Sequence, residues 1–216
     1  MKRIGVCVCA AAIALGACGL GVGQELKDVK LPKPRMDGGK PLMQALKERA
    51  TAREFGDRKL SEQTLSDLLW AACGVNRPES GKRTAPSARN WQEIDIYVAQ
   101  ENGLYLYDAA QNLLKAVLAE DIRAATGTQP FVKTAPLNLI FVSDYARIKD
   151  AKEADKAMYS ATDTGFISQN VYLFCASEGL ATVVRGLVDR NALAEKMKLR
   201  ADQKVVLAQS VGYPKK

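Results

Sequence analysis

The chain has 216 residues, 47% of them hydrophobic and 25% charged, which suits one globular domain with an ordinary core. It contains no histidine, which excludes Ser-His-Asp and Cys-His nucleophile systems, His-ligated zinc and histidine general bases. The net charge of +7 falls to near +5 once Lys2 and Arg3 are set aside with the N-terminal segment, and the remaining cations are scattered without an aromatic-interleaved patch, so no nucleic-acid partner is expected.

Residues 1–23 read as a targeting segment. Lys2 and Arg3 form a basic start, and Ile4 to Ala17 is an apolar run of signal-peptide length. "LGAC", Leu15 to Cys18, resembles a lipoprotein processing box with Cys18 as the lipidated residue. Cleavage after Gly23 by an ordinary signal peptidase and an uncleaved anchor are the alternatives. The first two readings put the chain outside the cytoplasm of a bacterium, in the periplasm or as a membrane-anchored lipoprotein. Residues 24–39, "QELKDVKLPKPRMDGG", read as a linker or extended arm, and residues 40–216 as the domain.

"LMQALKERA" is helical, with Leu42, Met43 and Leu46 on one face. "LSEQTLSDLLWAACG" is a helix capped by Ser61 and stopped by Gly74, burying Leu65, Leu68, Leu69 and Ala72. "IDIYVA" and "LYLYD" are strands joined at Asn102-Gly103, a strong hairpin signal. "AAQNLLKAVLAEDIRAA" has the stripe of an amphipathic helix. "PLNLIFVSDY" is apolar enough for a central strand. A long helix is expected from about Thr162 to Ser177, apolar nearly all round and so buried on most sides, as at a subunit interface. A short helix follows, capped by Asp189, and "KVVLAQSVGYP" is a last strand. Strict βαβ alternation is missing, so the class is α+β. Cys73 and Cys175 are the two cysteines outside the leader; buried inert thiols and a single disulfide are both open.

Four groups of residues carry chemistry. Arg49, Thr51 and Arg53 can converge on one phosphate through guanidinium forks, or simply pair with Glu48 and Glu54. Pro86, Ser87, Asn90 and Gln92 form a rigid donor-rich loop before a strand, with Arg83 and Arg89 beside it; an Asn-capped turn is the plainer reading. Arg185 and Gly186 follow an apolar strand-like run, where a glycine lets a flat ligand approach backbone N–H groups. Ser160 and Asp163 make an S-x-x-D capping box, with Asp163 as a ligand contact the alternative.

Taken in order and spacing, "RATAREF", "LLWAACGVNR", "RTAPSARNWQ", "GFISQNVYLFCASEGLATVVRG" and the terminal "VGYP" resemble the nitroreductase-like flavoproteins, over about Leu42 to Pro214. Within that family the chain is most similar to the subgroup of thiazoline-oxidising dehydrogenases. The resemblance implies an FMN-binding homodimer with a central antiparallel-rich sheet flanked by helices, the long helix between subunits and the flavin at the interface. It implies that Arg49, Thr51 and Arg53 hold the phosphate and ribityl chain. Pro86, Ser87, Asn90 and Gln92 would meet the ring, the Pro-Ser part from the partner subunit. Backbone at Arg185, Gly186 and Leu187 would lie by flavin N5, with Asp163 a weaker contact.

The implied activity is hydride-equivalent transfer to or from a small organic substrate: a nitroaromatic, a quinone, an enone, or a ring that is dehydrogenated. No single acid–base side chain is expected, since the flavin carries the chemistry and needs no histidine. Many family members continue past the Gly-Tyr-Pro strand and use a basic residue there for the phosphate; this sequence reaches Lys215 and Lys216. NAD(P)H is the usual donor, whereas an exported protein needs a quinol or a redox partner. A flavin-binding surface or periplasmic protein without turnover is the alternative function, and a non-flavin interaction protein on the same scaffold a third.

Overall fold

The computed structural model describes Met1 and residues 25–215. The leader lies outside the described residues. No helix among them is long and apolar enough to cross a membrane.

The elements are β1 (Val29–Lys30), α1 (Leu42–Glu48), α2 (Glu62–Cys73), β2 (Val75–Arg77), β3 (Lys82–Arg83), β4 (Ile94–Gln100), β5 (Gly103–Asp108), β6 (Leu113–Leu118), β7 (Leu137–Asp144), α3 (Glu153–Glu178), β8 (Ala181–Arg185), α4 (Arg190–Lys196) and β9 (Gln203–Gly212). Seven strands form one antiparallel sheet in the order β1-β6-β5-β4-β7-β9-β8, and β2 with β3 makes a separate hairpin. The fold is α+β with a large antiparallel sheet, as the residue pattern implied.

The sheet is covered on both faces, so both faces of its central strands are buried. All eight residues of β7 are buried. Ile94, Ile96 and Val98 of β4 pack toward α2 and α3 with Leu65, Leu69, Ile167 and Val171. Tyr97 and Ala99 face the opposite side, against α4 through Leu193 and Met197. This is the period-2 alternation of a strand with a core on each face. Ser61 caps α2 by accepting the Thr64 N–H, and Asp189 caps α4 by accepting the Ala192 N–H, both at 3.1 Å. Cys73 and Cys175 are buried free thiols.

Two expectations need correction. The stretch Ala109–Ala125 is strand β6 followed by a 3-10 turn at Arg123–Thr126, not a helix. The Asp108 carboxylate accepts the N–H groups of Ala110 and Gln111, and Asn112 turns back at φ 48°, so the chain reverses into a strand that β5 and β1 both pair. Cross-strand pairing overrides a stripe that was helical by period alone. Second, α3 begins at Glu153, nine residues before Thr162, so Ser160 and Asp163 lie inside it and form no capping box. The face of α1 bearing Leu42, Met43 and Leu46 is exposed, and Ala45 is buried. Within the single chain α3 likewise buries one broad stripe, while Met158 and Phe166 stand in solvent.

The arm at residues 25–40 lies along the domain. Leu31 enters the core, Asn112 and Ser66 both donate to the Pro32 carbonyl, Arg35 pairs with Asp67, and the Lys40 N–H donates to Ser177 Oγ at 2.8 Å.

Candidate flavin site

Arg49 caps the end of α1, and Thr51 and Arg53 follow on extended chain pinned by the Ala52 N–H, which donates to the Thr182 carbonyl at 3.0 Å. Neither arginine forms an ion pair among the described residues; Glu48 is taken by Lys40. The pairing with Glu48 and Glu54 that would make this a plain solvated helix end is not made. Tyr172 of α3 organises the group. Its hydroxyl bonds to Thr51 Oγ1 at 3.1 Å, accepts the Val184 N–H at 3.0 Å, and its ring lies 5.4 Å from the Arg49 guanidinium carbon. The chain end returns here too: Phe55 bridges to Pro214, and the Lys215 N–H donates to the Glu54 carbonyl.

The loop from Arg83 to Gln92 is held differently. Arg89, Asn90 and Gln92 all have left-handed backbone, at φ 49°, 56° and 49°. Three such residues in four, none of them glycine, store strain of about 1–3 kcal/mol each for Arg89 and Gln92 and less for Asn90, which tolerates this region. The surroundings enforce it. Ser87 Oγ accepts the Gln92 N–H at 2.8 Å, Asp163 Oδ2 accepts the Ala88 N–H at 2.9 Å, and the Arg83 Nε donates to Gln92 Oε1 at 2.8 Å. Gln92 Nε2 donates to Asn90 Oδ1 and to the Gly81 carbonyl, and Trp91 packs edge-on against Tyr159. Asn90 and Pro86 are exposed.

Asp163 is therefore a buried anchor of this loop rather than a helix cap. Beside it Glu93 is fully buried, and neither of its carboxylate oxygens finds a hydrogen-bond partner. Burial first, and the charge of Asp163 after it, push the Glu93 carboxyl up to about 7.

Arg185 turns its side chain inward. Its guanidinium donates to the Thr126 carbonyl at 2.6 Å and to Asn138 Oδ1 at 3.1 Å, with no carboxylate in reach, and burial lowers its pKa to about 10. Only its backbone is available to a ligand. Gly127 makes room for that guanidinium: a Cβ there would stand 2.1 Å from Nη1. Gly186 has the opposite character. A Cβ on it would meet nothing nearer than Leu207 Cδ2 at 3.8 Å, and its N–H donates to no acceptor among the described residues. The glycine leaves an open backbone donor beside the exposed Leu187.

The structure thus groups Arg49 and Thr51 around Tyr172, leaves Arg53 exposed two residues further along the same segment, gathers Pro86, Ser87, Asn90 and Gln92 on a pre-shaped loop, and exposes Gly186 and Leu187. It shows two residues that the sequence reading missed, Tyr172 and Glu93. A tyrosine inside a long helix and a glutamate opening a strand carry no local signal for either role. Unpaired guanidiniums, a free N–H and an uncovered glycine are the features an FMN phosphate and ring would need.

Comparison with known proteins identifies the family. The sequence model of the Nitroreductase family matches residues 46–213. A Methanocaldococcus jannaschii protein, provisionally named a nitroreductase, is 31% identical over 169 residues, covering 74% of this chain and 85% of its own. A crystal structure from Ralstonia eutropha JMP134, also provisionally named a nitroreductase, is 42% identical with a TM-score of 0.86, over 90% of this chain and 93% of that one. The NADPH:FMN oxidoreductase of Vibrio harveyi, solved with NAD+, shares the fold at 19% identity and a TM-score of 0.61, over 81% of this chain and 69% of its own. The chain belongs to the nitroreductase family and is a nitroreductase-like oxidoreductase.

Proposed function

We propose that the chain works as a homodimer that holds FMN between subunits, each flavin gripped by the clamp of one chain and the loop of the other. One observation carries this reading. Tyr172, which organises the clamp, and Asp163, which anchors the loop, are nine residues apart on α3. At 1.5 Å and 100° per residue they are about 13 Å apart along the axis and about 180° around it. The clamp and the loop of one chain therefore stand at opposite edges of the helix, facing away from each other. A second copy supplies the missing half, and the exposed apolar side chains Leu42, Met43, Met158 and Phe166 of α1 and α3 give it a face to cover.

Bound FMN would supply hydride-equivalent transfer at its N5, first from a donor and then to an acceptor. Arg49 and Arg53 neutralise the phosphate with forked hydrogen bonds, and Thr51, held by Tyr172, stands ready to donate to the ribityl chain. Lys215, whose N–H donates to the Glu54 carbonyl beside Arg53, can reinforce the phosphate site. The Gly186 N–H donates toward the reacting edge of the ring. Ser87, Asn90 and Gln92 of the second copy would meet the ring's polar edge, and the left-handed backbone at Asn90 and Gln92 sets the loop geometry before the ligand arrives.

The substrate is a small organic molecule: a nitroaromatic, quinone or enone in the reductive direction, or a ring dehydrogenated in the other. On the strength of "MKRIGVCVCAAAIALGAC" we place the protein outside the cytoplasm, where a quinol or redox partner is the alternative donor to NAD(P)H. Titration of leaderless protein with FMN, followed by flavin fluorescence and by sedimentation, tests the arrangement. One FMN per chain on a dimer is expected. A monomer that binds flavin with full affinity would overturn it.

A further inference from the structure

A cavity of about 240 Å³ lies between the β2–β3 hairpin and the ring-facing loop, lined by Arg77, Lys82 and Arg83 on one side and by Ser87, Asn90 and Gln92 on the other. Its three cations have no partners of opposite charge. None forms a salt bridge among the described residues, and no carboxylate lines the cavity. Glu79 at the hairpin tip is exposed and pairs with none of them; Asp95, the carboxylate whose charge reaches Arg83, is bound to Arg147.

The corner is built rather than incidental. Arg77 donates to the Arg83 carbonyl at 2.7 Å, and the Thr84 N–H ties the hairpin back to the Gly74 carbonyl at 2.9 Å. Arg83 donates Nε to Gln92 Oε1 and Nη1 to the Cys73 sulfur at 3.4 Å, neutral acceptors that fix its plane without cancelling its charge. Gln92 in turn donates to the Gly81 carbonyl, joining loop to hairpin. A half-enclosed space with three uncompensated cations and neutral donors on the facing wall concentrates anions, and a planar guanidinium fork matches a carboxylate or phosphate.

We propose that this corner is an anion subsite that selects ligands carrying a carboxylate or phosphate group for the adjoining flavin site. Arg77, Lys82 and Arg83 bind the anionic group, and Ser87 and Asn90 contribute hydrogen bonds. The inference rests on the reading that the loop from Pro86 to Gln92 faces flavin. The anion enters on either the acceptor or the electron donor, since both share this chemistry.

The test compares wild type with the double variant Arg77→Ala, Lys82→Ala; both side chains are on the surface, and Arg83, which packs on Cys73, is left alone. Calorimetry on the protein as purified measures binding of 4-nitrobenzoate against its neutral methyl ester, a readout that does not depend on flavin. Flavin photoreduced in the enzyme is then mixed with each compound, and oxidised enzyme is mixed anaerobically with NADPH and with NADH, which differ by one phosphate. Wild type is expected to favour the member with the additional anionic group in at least one pair tenfold or more, and the double variant to reduce that ratio to within about twofold of one. Collapse in the benzoate pair assigns the anion to the acceptor, and collapse in the nucleotide pair to the donor. Ratios equal in wild type and variant for both pairs, in binding and in rate, would overturn the subsite. Absence of bound flavin together with selective 4-nitrobenzoate binding would overturn the flavin reading and keep the subsite.

Discussion

Arg49, Thr51 and Arg53 stand on a segment with ordinary backbone, and the two guanidiniums form no ion pair among the described residues, whereas the loop from Arg83 to Gln92 carries three left-handed residues and has most of its polar groups already bonded. The clamp is exposed charge waiting for a partner. The loop is stored geometry, with the buried carboxylates Asp163 and Glu93 behind it. The two halves should fail in different ways. Damage to the clamp should cost ligand affinity and leave the fold alone, while damage to the loop anchor should cost both.

The largest expected effect breaks the clamp. Arg49→Ala with Arg53→Ala removes two sets of charge-assisted bonds, about 4 kcal/mol together, or roughly a thousandfold in FMN affinity. Thermal unfolding of the flavin-free variant should match wild type, since neither guanidinium is paired within the chain. A drop in its Tm of more than a few degrees would show that the clamp is structural.

The anchor comes next, through pH. Glu93 holds its proton in the fold up to about 7 but releases it near 4.5 when unfolded. Its contribution to stability is complete below about 4.5 and is lost as pH rises through about 7, because the folded state must then carry a buried charge beside Asp163. At about 1.4 kcal/mol per pH unit between those values, this amounts to about 3 kcal/mol. Denaturant titrations at pH 5 and pH 8 should show that decline in wild type, and Glu93→Gln should flatten it. Equal slopes in both proteins would remove Glu93 from the account.

Asp163→Ala should cost about 2 kcal/mol by leaving the Ala88 N–H without its acceptor. It should also weaken FMN binding, because the strained loop can then relax away from its ring-facing shape. Asp163→Asn, which keeps an acceptor, should restore most of both. If calorimetry finds FMN affinity untouched in the alanine variant, the loop does not hold the ring. The smallest effect is Tyr172→Phe, which frees Thr51 and the Val184 N–H for about 1 kcal/mol and less than tenfold in FMN affinity.

The fold was legible wherever local signals agreed with the final pairing. β4, β5, β7 and β9 alternate or run apolar between clear turn residues, and α2 has both its caps written beside it. β6 was not legible, because "LLKAVL" satisfies a helical stripe and its strand partners lie elsewhere in the chain. The Asx turn at Asp108 was the one local clue. Among site residues, Arg49, Thr51 and Arg53 could be read together because they sit within five positions. Asp163 was misread as a cap because its true partner, Ala88, is 75 residues away. Arg185 was read for its backbone beside Gly186, and only the packing of Thr126 and Asn138 shows that its side chain is spent inside the domain.

The most direct test of the central claim is the visible spectrum of the purified leaderless protein with FMN, recorded anaerobically before and after dithionite and again after adding a nitroaromatic or quinone acceptor. A bound-flavin spectrum that bleaches and then returns with the acceptor is the predicted result. Protein that takes up no flavin at any FMN concentration, or flavin that is reduced but never reoxidised by any such acceptor, would contradict it.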